Sequence, residues 1–225
     1  MIGSDNRTIL FGGMGPRHEV SIGYSFLVSD KTLGFEEANR FVKHNDAALV
    51  SESEWQLAYS RGLITADDGS LEFLADSTEN YWGKSCDGRP LIKSQNSPRV
   101  IRRWNSGIAK TFTMFSNDIN LESEGRIRVV IRKHSDWSDS PLEIPENTDK
   151  SAILFEEVLI CIVVGIIPSF LWAYFNASPG YLRDGWLNLV LGGVFFGIFT
   201  ILFWRPKQPS WYIENNKLIK RKRKY

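Results

Sequence analysis

The 225-residue chain is poor in the residues that usually announce chemistry, with two cysteines and three histidines. Cys86 and Cys161 fall in different parts of the chain. A disulfide scaffold is therefore not the organising device, and a reducing compartment is compatible. His18, His44 and His134 show no metal-ligand spacing, so the sequence offers no histidine site for a metal. Charge of one sign is also missing. Lys and Arg number 27 against 26 Asp and Glu, a net charge of +1, which leaves no whole-chain case for nucleic acid. Residues 1–20 lack a long apolar core behind a basic flank and do not read as a secretory signal.

What the chain does have is two runs without a single charge. Residues 158–175 read VLICIVVGIIPSFLWAYF, and residues 186–204 read WLNLVLGGVFFGIFTILFW. A bilayer core of roughly 30 Å takes about 20 apolar residues of helix, and both runs come close. Core helices of a soluble protein normally keep a polar face, and neither run has one. Trp172, Tyr174, Trp186 and Trp204 stand near the ends, at headgroup level. Pro168 is tolerable because Ser169 and neighbouring helices can absorb the freed backbone group. Gly165 with Ser169, and Gly193 with Gly197, have the spacing that lets helices touch. These small faces suit a hairpin, self-association as a dimer, or a protein partner met through Gly193 and Gly197. After Trp204 come Arg205, Lys207, Lys217, Lys220, Arg221, Lys222, Arg223 and Lys224, against only Arg183 between the spans. The bias puts the tail on the cytoplasmic side, and an even number of spans puts the N-terminal domain there too. The basic tail, residues 205–225, is read as a topology signal that also grips anionic lipid headgroups, rather than as a nucleic-acid patch.

Ahead of the spans, residues 136–151 are rich in serine, acid and proline and read as a linker. Residues 1–16 read as a leader, its Gly12, Gly13 and Gly15 lacking the context of a phosphate cradle. The domain between, residues 17–135, opens with Val20, Ile22, Tyr24 and Phe26 in strand alternation. Residues 34–44 carry Phe35, Ala38, Phe41 and Val42 on one helical face. Ser51 and Glu54 form a capping box for a second helix that carries Trp55 and Ala58 inward and ends at Gly62. Residues 67–99 read as long loops anchored by Tyr81 and Trp82. Ile127, Val129 and Ile131 alternate with Arg126 and Arg128, a strand with a solvent face. The order predicts α+β rather than a regular βαβ sheet.

Four phrases in this order resemble the formylglycine-generating enzyme, or sulfatase-modifying factor, family: residues 15–42, GPRHEVSIGYSFLVSDKTLGFEEANRFV; residues 51–62, SESEWQLAYSRG; residues 99–104, RVIRRW; and residues 127–130, IRVV. They cover most of a domain about half the usual family length. The resemblance implies a C-type-lectin-like fold with long loops. Family oxidases hold copper through two cysteines shortly after the segment that RVIRRW resembles, and Cu(I) wants thiolates. Here residues 105–116 read NSGIAKTFTMFS, without cysteine. Copper chemistry is thus not expected, nor is any other cofactor or metal.

The candidate ligand-binding residues are Trp82, Cys86, Asp87 and Arg89 in the 81–90 loop, with Arg102 and Trp104. Cys86 as nucleophile would need a nearby base, so a packed loop cysteine beneath Trp82 is the plainer reading. Asp67, Asp68, Glu72 and Asp76 could hint at calcium but lack a loop register, and read as a solvated acidic turn. The expected function is a membrane-tethered pseudoenzyme, a binding or scaffolding domain. The alternatives are an oxidoreductase-type enzyme of altered chemistry on the same frame, using Cys86 or residues 99–104, and a domain that stabilises a membrane partner through Gly193 and Gly197.

Overall fold

The computed structural model describes residues 1–94, 96–115, 125–133, 137 and 139–221. His134, Asp136, Ser138 and the basic residues 222–224 lie outside them. The chain divides into a mixed α+β domain, Met1–Asp5, Gly13–Asn147 and Pro209–Tyr225, and a helical unit, Asn6–Gly12 and Thr148–Gln208.

The domain begins with β1 (Ser25–Val28), the short β2 (Leu33–Gly34), α1 (Phe35–His44), β3 (Ala48–Leu49) and α2 (Glu52–Ser60). The alternation that starts at Val20 is real in its burial, but only its last part pairs as strand. In α2 the capping box forms in both halves. Ser51 Oγ accepts from Glu54 N (3.2 Å), and Glu54 Oε2 accepts from Ser51 N (2.9 Å). Gly62, at φ 68°, ends the helical run in a conformation that suits glycine.

Next come β4 (Leu71–Ser77), β5 (Arg99–Asn105), β6 (Ile108–Met114), β7 (Gly125–Ile127) and β8 (Val129–Lys133). Within the stretch read as loops, β4 is an inner strand of a five-stranded sheet ordered β2-β7-β4-β5-β6. It pairs parallel with β7 and antiparallel with β5. A two-residue turn, Ser106 (φ 52°) and Gly107 (φ 73°), joins β5 to β6, as the right-handed strand twist favours. A second sheet runs β1-β8-β3. The chain passes from one sheet to the other at Arg128, and the break shifts the side-chain phase. Val129 enters one apolar cluster, with Ala38, Phe73, Ile101 and Ile127, while Val130 enters the other, with Trp55, Leu74, Val100 and Trp104. Arg128, expected on a solvent face, is fully buried.

Two segments read as appendages belong to this domain. In the supposed linker, Ile144 is buried, Cys86 N donates to Leu142 O (2.7 Å) and Ile144 N donates to Lys84 O (3.0 Å). In the supposed tail, β9 (Ser210–Glu214) and β10 (Lys217–Arg221) form an antiparallel hairpin around Asn215 and Asn216, both at positive φ. Its first strand docks on residues 17–19, with Trp211 N donating to Arg17 O (2.9 Å) and Glu19 N to Trp211 O (2.9 Å). The leader joins too, since Ile2 is buried and bridges His18.

In the helical unit, α3 (Lys150–Ile160) continues through a π-helical stretch, Cys161–Ile166, into α4 (Ile167–Asn176). Asp149 caps its start, accepting from Ala152 N (3.0 Å). The helix thus begins eight residues ahead of the uncharged run. Pro168 cannot donate in the ladder, and the wider turn just before it fits that loss. Ser169 Oγ donates to Gly165 O (2.9 Å). A short α5 (Pro179–Asp184) leads into α6 (Trp186–Phe203). Gly165, Gly193 and Gly197 are buried where the two long helices touch. A Cβ on Gly193 would lie 2.6 Å from Ile166 Cα, and one on Gly197 2.6 Å from Cys161 Cα. The small faces are therefore occupied within the chain. Both long helices, Lys150–Asn176 and Trp186–Phe203, are long and apolar enough to cross a bilayer.

Candidate functional site

The polar residues inside the α+β domain set out what its chemistry is used for. Glu72 lies on an inner strand with no exposed surface. Its carboxylate accepts from Trp55 Nε1 (2.8 Å), Trp104 Nε1 (2.7 Å), Arg128 Nε (2.8 Å) and Arg128 Nη2 (3.1 Å). Arg128 uses its remaining hydrogens on the carbonyls of Ser29 (3.0 Å), Asp30 and Thr65 (2.7 Å). Such a pair tolerates burial because every donor and lone pair is met. The acidic turn expected from sequence is thus split: Asp67 and Asp68 are exposed, whereas Glu72 and Asp76 are inside.

Arg102 and Trp104 follow the same pattern. Arg102 pairs with buried Glu52, donates to Gln56 Oε1 (2.7 Å) and lies 4.4 Å over the Trp55 ring. Asp76 pairs with Lys84 and accepts from Glu52 N (2.6 Å) and Leu91 N (2.8 Å). Tyr81 sits among Glu52, Arg102 and Asp76, and burial pushes its hydroxyl well above the usual range. These ties join α2, β4, β5 and the 81–90 loop through residues far apart in sequence.

Cys86 is buried, and burial pushes its thiol up to about 12 despite the nearby Lys84 cation. A thiol so placed is a poor nucleophile at neutral pH. His18 is buried as well, its Nδ1 2.9 Å from Pro16 O. Desolvation lowers it to about 3, with Lys84 and the N-terminal ammonium pulling the same way. Among the described residues no group of three or more His, Cys, Asp or Glu side chains is arranged to hold a metal ion.

The rim of the 81–90 loop is different. Arg89 folds onto Asp87, with Nε–Oδ2 at 2.8 Å and Nη2–Oδ2 at 2.6 Å, and both are half-buried. Its guanidinium lies 5.5 Å from the Trp137 ring, and that of Arg132 lies 5.4 Å from the same ring. Arg132 pairs with Glu54 (2.6 and 2.9 Å), which also accepts from Tyr24 Oη (2.7 Å). Burial, then the Glu54 charge, raise the Tyr24 hydroxyl above its ordinary range. Trp82 stands half-buried in the same loop, its backbone N–H donating to Asn80 Oδ1 (3.1 Å). The result is an exposed indole with two guanidiniums close to its ring, each paired with a carboxylate. Arg132 is mostly covered, and Trp137 with Arg89 forms the accessible part, fit for stacking.

Of the six residues singled out from sequence, the fold therefore keeps Asp87, Arg89 and Trp82 at the rim. It draws Cys86, Arg102 and Trp104 into the interior. Sequence reasoning missed Arg132, Trp137 and Tyr24. The signal was present in Trp137, an aromatic stranded in a polar stretch. It also missed a polar groove of about 670 Å3 lined by Asp30, Lys31, Thr32, Thr65, Ser70 and Arg126.

The fold and rim define a mixed α+β domain with a half-exposed arginine–tryptophan surface and two apolar helices. No protein-family model, no curated protein and no solved structure matches the chain.

Proposed function

We propose that this chain is a membrane-tethered, non-catalytic binding or scaffolding module on a sulfatase-modifying-factor-like frame. The observation that carries the membrane part is exposure. Only 17% of the apolar window in Lys150–Asn176 and 22% in Trp186–Phe203 is buried, whereas a core helix of a soluble protein would be mostly covered. Phe155, Phe175 and Phe195 face outward with nothing in the chain to cover them among the described residues. Chain connectivity supports two crossings. The α+β domain is left at Asn147 and re-entered at Pro209, and β9 pairs with residues 17–19, so the helices begin and end on one side. The lysine and arginine bias makes that side cytoplasmic. Exposed Lys217 and Lys220 on β10 are free to meet anionic headgroups.

The family resemblance finds support in the way its phrases converge. Trp55 and Trp104 come from two of the quoted segments and donate to one carboxylate. The non-catalytic part rests on Cys86, single and buried, and on Arg102 being held in an internal ion pair. Binding then falls to Arg89, Trp137 and Arg132. The test is carbonate extraction of the full chain from membranes, with reporter fusions at both termini. The proposal expects a pellet and two cytoplasmic reporters. A soluble monomer without detergent would refute the tether, and copper-dependent oxidation of a cysteine peptide by purified protein would refute the missing chemistry.

A further inference from the structure

Within the helical unit, Asn6–Gly12 is an excursion from the α+β domain that closes on itself, since Ser4 N donates to Met14 O (2.6 Å) at its base. Its tip carries Ile9, Leu10 and Phe11, which are 57%, 54% and 68% exposed. Three consecutive apolar side chains held outward is an arrangement water opposes. An Asx contact and a cross-link fix the loop: Thr8 N donates to Asn6 Oδ1 (3.1 Å) and Asn6 Nδ2 to Phe11 O (3.0 Å).

The loop is seated at the end of α6. Leu10 N donates to Leu202 O (3.3 Å), one of the carbonyls that a helix C-terminus leaves without an internal partner. The Phe11 ring lies 6.4 Å from that of Phe203. Behind the tip runs a belt of paired charges: Arg7 with Glu156, and Arg205 with Glu157 (2.8 Å). Arg7 Nε also donates to Pro206 O (2.8 Å), and Trp204 stands exposed at this level. A ring of charge and indole beside the last apolar turn is the layout of a membrane–water boundary. The triplet lies next to that boundary, continuous with the exposed apolar surface of α6.

We propose that Asn6–Gly12 is an interfacial wedge that seats Ile9, Leu10 and Phe11 among lipid chains beside the end of α6. This rests on the membrane reading above. The wedge adds an apolar contact with the lipid surface to the two spans, fixed by the Arg7–Glu156 pair.

The test uses the unaltered full chain in phosphatidylcholine vesicles, labelled with a lipid-soluble carbene precursor and digested with trypsin. Cleavage after Arg7 and Arg17 isolates residues 8–17, the helix appears in residues 184–207, and residues 104–110, carrying exposed Ile108, report the domain surface. The expected result is labelling of 8–17 and 184–207 well above 104–110. Labelled 184–207 with 8–17 no higher than 104–110 would overturn the wedge and leave the tether standing. Absence of label on 184–207 would overturn both.

Discussion

The α+β domain takes Glu72, Arg128, Asp76 and Lys84 fully inside, while the helical unit turns Phe155, Phe175 and Phe195 outward. Average hydropathy would assign both sets the opposite way. What separates them is the fate of polar groups. In the domain, Glu72 with Arg128, Asp76 with Lys84 and Glu52 with Arg102 each pair opposite charges and add further hydrogen bonds, so their lost hydration is offset. In the helices the backbone satisfies itself, the Ser169 and Thr200 hydroxyls bond back to it, and most of the outward side chains carry no polarity to satisfy. One region is held by specific partners, the other by close approach at three glycines.

The sharpest way to break this contrast is Arg128→Met. It strands the Glu72 carboxylate with only its two indole donors and frees three carbonyls. A loss of about 3–5 kcal/mol is expected for a buried ion left without its partner. Denaturation of the full chain in micelles would measure it, and the Arg128→Met, Glu72→Leu double variant should recover part of the loss. A double variant worse than the sum of the singles would mean the pair is not the unit that matters.

Acidification tests the same interior through His18. Its folded-state value of about 3 lies below the ordinary 6.5, so between those values the unfolded chain binds more protons. Stability therefore rises with pH across that window and is lost as pH falls through it, by at most about 1.4 kcal/mol per unit. Relative to His18→Asn, the native chain should lose about 2 kcal/mol more between pH 7 and pH 5. Parallel pH profiles for the two proteins would show that His18 is not held neutral.

How much of this was legible follows the same division. The uncharged runs and the Ser51–Glu54 box declare themselves because the residues involved are neighbours in sequence. So does α1, although Phe41 on its predicted inner face is 37% exposed. β4 stayed hidden because Glu72 and Asp76 make LEFLADS look solvated, and their partners Arg128 and Lys84 are decided by topology. Arg102 and Trp104 read as site residues because they stand in RVIRRW, the segment that carries the family resemblance, while their partners Glu52 and Glu72 are decided by topology. The β9–β10 hairpin was readable in principle. Trp211 and Ile213 alternate ahead of Asn215 and Asn216, a pair suited to a tight turn, but the basic run that overlaps the second strand gives it the look of a solvated tail.

In the helical unit the comparison sharpens on two adjacent glycines. A Cβ at Gly193 collides with the Ile166 backbone, whereas one at Gly192 meets open space. Gly193→Leu should cost about 1–3 kcal/mol by overpacking and push the helices apart, and Gly192→Leu should be close to neutral. Thermal aggregation of the two variants in matched micelles would separate them. Equal behaviour would argue that the glycine contact does not hold the hairpin together.

The smallest expected effect is at the start of α2, where the two modes of stabilisation meet. Ser51 Oγ accepts from Glu54 N and donates to Gly88 O (2.6 Å), so one hydroxyl caps a helix and pins the 81–90 loop. Loss of the cap alone, in Ser51→Ala, is worth about 1 kcal/mol. The lost contact to Gly88 predicts a second, local symptom: faster amide exchange in residues 85–89 than in the rest of the domain. Ser51→Thr keeps the hydroxyl and should restrain that exchange. Uniformly faster exchange in Ser51→Ala would mean that the loop carrying Asp87 and Arg89 is positioned without α2, and that the rim surface owes nothing to the buried frame beneath it.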